Sequence, residues 1–222
     1  MMTNLFSSFD PATSINVSMN WMSSIIIIML IPLNYWKMMN RTNLIMNLII
    51  TKLYNEFYML MGKNSKGMKL LMVSMFIMIV MNNMMGLLPY VFTSSSHLTM
   101  TLTLAMPMWL SLMMYGWVNK TNEMFSHLIP TGTPSILMPF MVMIETISNI
   151  IRPGALSVRL MANMIAGHLL MSLLGENSTS MNLMLPLIMI IQLGLFTFEI
   201  AVAIIQAYVF SILSTLYSSE IL

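Results

Sequence analysis

Cysteine is absent from this chain, which excludes disulfides, thiol nucleophiles and cysteine-based metal sites. Charge is scarce as well: Asp, Glu, Lys and Arg make up 7% of 222 residues, where a soluble domain carries about a quarter. The net charge of +2 is too small to suggest nucleic-acid binding, and no basic patch alternates with aromatics. The three histidines are too scattered for a zinc site. Gly62-Lys63 looks like the end of a phosphate loop, but the glycine such a loop needs five residues earlier is Phe57. No serine and aspartate are arranged for nucleophilic catalysis. These absences point away from cofactor, nucleotide and covalent chemistry.

What is present is apolar: 58% of residues are hydrophobic and the mean hydropathy is +0.82. That composition is an integral membrane protein's. Methionine occurs 32 times. Thioethers are soft ligands for copper(I), but these lie in every apolar segment where Ile or Leu would serve, which reads as lipid- and core-facing filler. The N-terminus, Met1-Met2-Thr3-Asn4-Leu5-Phe6, has neither a basic region nor a small-residue cleavage site, so no cleaved leader is expected.

A membrane span needs about 20 apolar residues. Spans are expected at 18–36, 68–90 and 97–118, with Trp21, Tyr35 and Trp36 as interfacial aromatics on the first. Residues 41–61 mix Lys52 and Glu56 with Leu, Ile, Tyr and Met at helical spacing, which suggests a helix lying on the membrane surface. The apolar segments 135–174 and 181–217 are too long for a perpendicular crossing: near 40 residues is about 55 to 60 Å of helix. That is almost twice the hydrocarbon thickness of about 30 Å, and neither segment holds a polar turn that could emerge, so a strongly tilted hairpin is favoured. The expectation is an all-α membrane protein, one membrane domain over 1–222, with five membrane-embedded helices plus one surface amphipathic helix. Lys37, Arg41, Lys52, Lys63 and Lys66 fall between the first two spans with Lys69 at the near edge of the second, and five crossings put Lys120 on the same side. The positive-inside rule then places the N-terminus outside and the C-terminus inside.

Arg159 is the residue that needs a reason. A cation at membrane depth costs roughly 2.5 to 17 kcal/mol, depending on how far it reaches toward water. No acid lies one helical turn away, so its partner must come from another helix or another subunit. Glu145, Arg152 and Arg159 recur every seven residues, as do Gln192, Glu199 and Gln206, and seven residues return a helix nearly to the same face. A carboxylate on such a stripe can exchange protons with a hydrated cavity. Asn163 lies one turn beyond Arg159; His168, nine residues on, points to the opposite side of a straight helix. Pro153-Gly154 is expected to bend it. Glu145 with Arg152 fits a compensating ion pair as well as a functional one, Gln192 fits a simple helix–helix bond, and His168 alone fits a satisfied interior histidine.

The blocks Leu156-Ser157-Val158-Arg159-Leu160-Met161-Ala162-Asn163 through His168, and Phe196-Thr197-Phe198-Glu199 through Gln206, closely resemble subunit a of F-type ATP synthases. Asn82-Asn83-Met84-Met85-Gly86-Leu87-Leu88-Pro89-Tyr90 resembles the family's second-span motif, with Asn82 read as its polar position. The His168/Glu199 combination resembles the mitochondrial branch, and the methionine excess with Phe9-Asp10-Pro11 resembles arthropod, especially insect, members. The resemblance implies a stator in the mitochondrial inner membrane, facing a rotating c-ring of small hairpin subunits and contacting other Fo and peripheral-stalk subunits. Arg159 would face the ring carboxylate and separate two proton half-channels. His168 and Glu199, with Asn82, would line the half-channel from the intermembrane space; Glu145 and Glu220 would serve the matrix side; Asn163 and Gln206 would position Arg159. No cofactor, nucleotide or nucleic acid is implied for this chain. A respiratory NADH dehydrogenase subunit, a secondary transporter and a membrane scaffold are the competing readings. The lack of any mid-span lysine, the absence of internal repeats, and the otherwise unexplained Arg159 weigh against them in turn.

Overall fold

The computed structural model describes residues 5–14, 17–32, 36, 38, 40–62, 66–129, 134–180 and 185–221. Residues 33–35 of the first expected span, 181–184 at the start of the last, and Lys37 and Lys63 of the charge count lie outside them. Among the described residues the chain is helical, with no β-strand: α1 (Met22–Met29), α2 (Arg41–Met61), α3 (Lys66–Gly86), α4 (Leu98–Asn119), α5 (Thr121–His127), α6 (Met138–Ser180) and α7 (Leu185–Ile221). Short 3-10 helices cover Leu5–Phe9, Met19–Trp21 and Ser94–Ser96.

Four of these helices are long and apolar enough to cross a membrane, over Gly67–Gly86, Leu98–Asn119, Met138–Ser178 and Leu185–Ile221. The first expected span differs. Its helix α1 has only 8 residues, about 12 Å of rise. Pro32 accounts for the stop: it has no N–H to donate and pushes the preceding residue out of the helical region. Among the described residues, four helices are thus long enough to cross.

Helix α2 starts after Asn40 in extended conformation and ends at Gly62, whose φ of +72° favours glycine. Only Leu53 and Phe57, one turn apart, are buried, so a single face packs against α3 and α7. Two polar contacts fix it there. Lys69, fully buried on α3, donates to the Gly62 carbonyl at the C-terminus of α2 and sits 4.2 Å over the Tyr58 ring. Tyr208 of α7 donates to Glu56 Oε2 at 3.0 Å.

The core joins Phe57, Met72, Phe76, Met108, Leu160 and Phe210 from five helices. Small residues let α7 approach the rest: Ala203, Ala207, Ser211, Ser214 and Ser218 form a buried stripe at spacings of three and four. Its hydroxyls are satisfied locally, as when Ser214 donates to the Ser211 carbonyl at 2.7 Å, with Met72 Sδ 3.2 Å away. α6 continues for 43 residues through Pro153, and α7 for 37. The two pack side by side, with α4 against α6 and α3 against α7.

This stripe predicts that Ala207→Leu, at a site with no free surface, overpacks the α3–α7 contact by about 1–3 kcal/mol. Thermal unfolding in detergent should then begin at a lower temperature. Ile204→Leu, on the exposed face of the same helix, should leave it unchanged.

Candidate functional site

α6 divides its surface sharply. Pro153, Leu156, Ser157, Leu160 and Met164 are buried, while Val158, Arg159, Ala162 and Asn163 are exposed. Arg159 therefore projects from the outer face of the α6–α7 pair. Among the described residues no carboxylate pairs with it; the ion pairs are Lys120–Glu123, Arg152–Glu145 and Arg152–Glu220. One turn along, Asn163 Nδ2 donates to Gln206 Oε1 at 2.9 Å, bridging α6 to α7. Gln206 is itself buried, so the bond satisfies an amide oxygen that would otherwise cost about 1–3 kcal/mol to bury.

His168 and Glu199 meet in a cavity of about 310 Å3, with Asn163 at its edge. Gly167 makes room for the acid: a Cβ there would lie 2.6 Å from Glu199 Oε1. His168 Nε2 is buried without a hydrogen-bond partner, and the Phe9 ring packs edge-on against the imidazole at 6.2 Å. The carbonyl of Phe9 is in turn 2.8 Å from His97 Nε2, which ties the Leu5–Phe9 segment over this end of the molecule. Arg159 lines a different cavity, of about 280 Å3, with Arg152 and Tyr217.

Near the opposite ends of the long helices, Glu145, Arg152 and Glu220 share a cavity of about 310 Å3 that His127 of α5 also lines. Arg152 Nη1 donates to Glu220 Oε2 at 2.6 Å, and its Nη2 is 3.5 Å from Glu145 Oε1. Glu220 is anchored although it lies near the chain end. Ile221 beside it is buried, and Gly116 of α4 leaves the space its side chain occupies: a Cβ at Gly116 would stand 2.9 Å from Ile221 Cγ2.

Asn82 is not in the His168/Glu199 cavity, where the resemblance had put it. It is buried, accepts from Ser94 Oγ at 3.1 Å and donates to the Met78 carbonyl, beside a small pocket that Asn83, Ser95 and Leu160 also line. Its neighbour Asn83 is the residue that reaches α7, donating to the Ala203 carbonyl at 3.3 Å. One position is about 100° of helix rotation, enough to exchange their surroundings. The doublet Asn82-Asn83 in an apolar helix was the available signal, and it does not say which member faces α7. Gln192 lines none of these cavities.

Residues 17–219 match the family model described as ATP synthase A chain. Along 100% of both chains, the sequence is similar to the ATP synthase subunit a of Locusta migratoria (58% identical over 224 residues) and of Aedes aegypti (59% over 226). That of Drosophila simulans is 56% identical over 223 residues, again along 100% of both chains.

The close approach at Gly167 makes a structural prediction. In Gly167→Ala the methyl group displaces the Glu199 carboxylate, the movable end of a side chain, and leaves the helix spacing alone. A structure of the variant should show Glu199 in a different rotamer with the Asn163–Gln206 bond intact.

Proposed function

The chain belongs to the ATP synthase A chain family, and from that membership we propose that it is the proton-conducting stator of the Fo sector, working against a rotating ring of small hairpin subunits. The observation that supports this most directly is Arg159, a cation on an exposed apolar face with no acid partner among the described residues. A carboxylate on a ring subunit would complete it. Arginine suits the position because it keeps its proton at any accessible pH.

The His168/Glu199 cavity is the half-channel from the intermembrane space, and the Glu145/Glu220 cavity is the half-channel to the matrix. A proton enters past His168 and Glu199, neutralises a ring carboxylate, and rides through lipid as the ring turns. Near Arg159 the ionised carboxylate is favoured, so the proton is given up toward Glu145 and Glu220. Asn163 and Gln206 fix the height of Arg159 between the two cavities. A fixed charge there blocks direct passage, and the membrane potential supplies about 2.3 kcal/mol per charge per 100 mV to make turning directional. Asn82, which does not line the His168 cavity, acts in packing α3 rather than on the path.

The setting is the mitochondrial inner membrane, with the N-terminus toward the intermembrane space and the C-terminus in the matrix. The basic residues Arg41, Lys52 and Lys69 on α2 and α3 support this orientation. α2 lies on the matrix surface, and the segment around α1 supplies the fifth embedded element. α6 and α7 are tilted as a hairpin, since about 55 to 65 Å of helix exceeds a hydrocarbon core of about 30 Å. Other Fo and peripheral-stalk subunits hold the single membrane domain, residues 1–222, against the ring. Nucleotide chemistry belongs to other subunits of the synthase; this chain carries none.

Proton-driven ATP synthesis in inner-membrane vesicles tests the reading. Arg159→Ala should assemble normally on native gels yet reduce synthesis to background. Synthesis at the normal rate in that variant would make the chain a scaffold instead.

A further inference from the structure

Arg152 has no part in the path just described, yet it holds both of its matrix-side acids. Its Nη1 donates to Glu220 and its Nη2 approaches Glu145. Its Cζ stands 5.0 Å from the centre of the Tyr217 ring. Glu145 lies two turns back on the same helix, whereas Glu220 comes from the end of α7, 68 residues onward. A forked guanidinium can serve two carboxylates at once, where an ammonium is a point charge. Stability does not explain the arrangement, because the Glu220 side chain is 57% exposed and ion pairs in such settings contribute little. Position remains.

A second observation gives that position meaning. Arg152 and Tyr217 are the two residues common to the linings of the Glu145/Glu220 cavity and the Arg159 cavity. They stand where one cavity meets the other. The buried Ile221, seated against Gly116, keeps Glu220 within reach of this boundary.

We propose that Arg152 is a positioning residue for the inner half of the proton path: it holds Glu145 and Glu220 as a pair and, with Tyr217, partitions their cavity from the groove of Arg159. A fixed cation at the partition disfavours a hydronium ion there. A proton leaving the ring must then be received by one of the paired carboxylates. This inference rests on the reading of the Glu145/Glu220 cavity as the matrix half-channel.

The test uses Arg152→Gln, Arg152→Lys, Glu145→Gln and Glu220→Gln in the assembled synthase, with ATP synthesis normalised to complex on native gels. Arg152→Gln should lower the rate about tenfold, the loss of one charged hydrogen bond. Arg152→Lys should lower it less, since lysine keeps the charge but reaches one acid. In a Glu220→Gln background, Arg152→Lys should cost much less than in the native chain, a non-additivity that loss of packing would not produce. Full rates in both Arg152 variants, with the Glu variants impaired, would overturn the positioning role alone. Strictly additive losses would do the same. Full rates in Glu145→Gln and Glu220→Gln would instead overturn the matrix half-channel. If Arg152→Gln fails to assemble, Arg152→Lys decides: a reduced rate per assembled complex upholds the proposal, and a full rate removes it.

Discussion

A charge that cannot be discharged, placed on an apolar surface without an acid partner among the described residues, constrains everything around it. Arg159 sits on the exposed face of α6, and the acids that could have neutralised it are committed elsewhere or lie in other cavities. At membrane depth such a group costs several kcal/mol. On the proposed function its counter-charge is a carboxylate of a ring subunit, which would make this helix pair one half of an interface.

The remaining architecture keeps this face at a defined height. Small residues along α7 let it lie close to α3, and Asn83 and Asn163 each bond across a helix boundary, to the Ala203 carbonyl and to Gln206. Lys69 closes the end of α2, and Glu56 receives Tyr208. The Asn83 and Tyr208 bonds join helices more than 100 residues apart in sequence, at separations of 120 and 152. With the helix pair so fixed, two cavities of similar size open near its opposite ends, one with His168 and Glu199 and one with Glu145 and Glu220. Arg159 lines neither.

Much of this is legible in the residues alone, and the reasons differ by element. The mixture of Lys52 and Glu56 with apolar residues at helical spacing places a helix at 41–61, and the helix runs over Arg41–Met61. The length of the last two helices follows from unbroken apolar runs. Of the first expected span, 18–36, the described residues show helix only over Met22–Met29, because hydropathy does not register the helix stop at Pro32. Pairings across helices are the part that spacing cannot supply. Heptad intervals put Glu145 and Arg152 on one face, but Glu220 joins them only because α7 returns beside α6 and Ile221 finds a slot at Gly116. Which of Asn82 and Asn83 bonds to α7 is hidden for a related reason: a single-residue step changes the facing helix, and no local pattern records it.

The most direct test is a structure of the assembled synthase at a resolution that shows side chains. The account predicts the Arg159 guanidinium facing the ring and within direct or single-water reach of a ring carboxylate, with no acid of its own chain closer. Arg159 paired with an acid of this chain, or turned to lipid away from the ring, would contradict it.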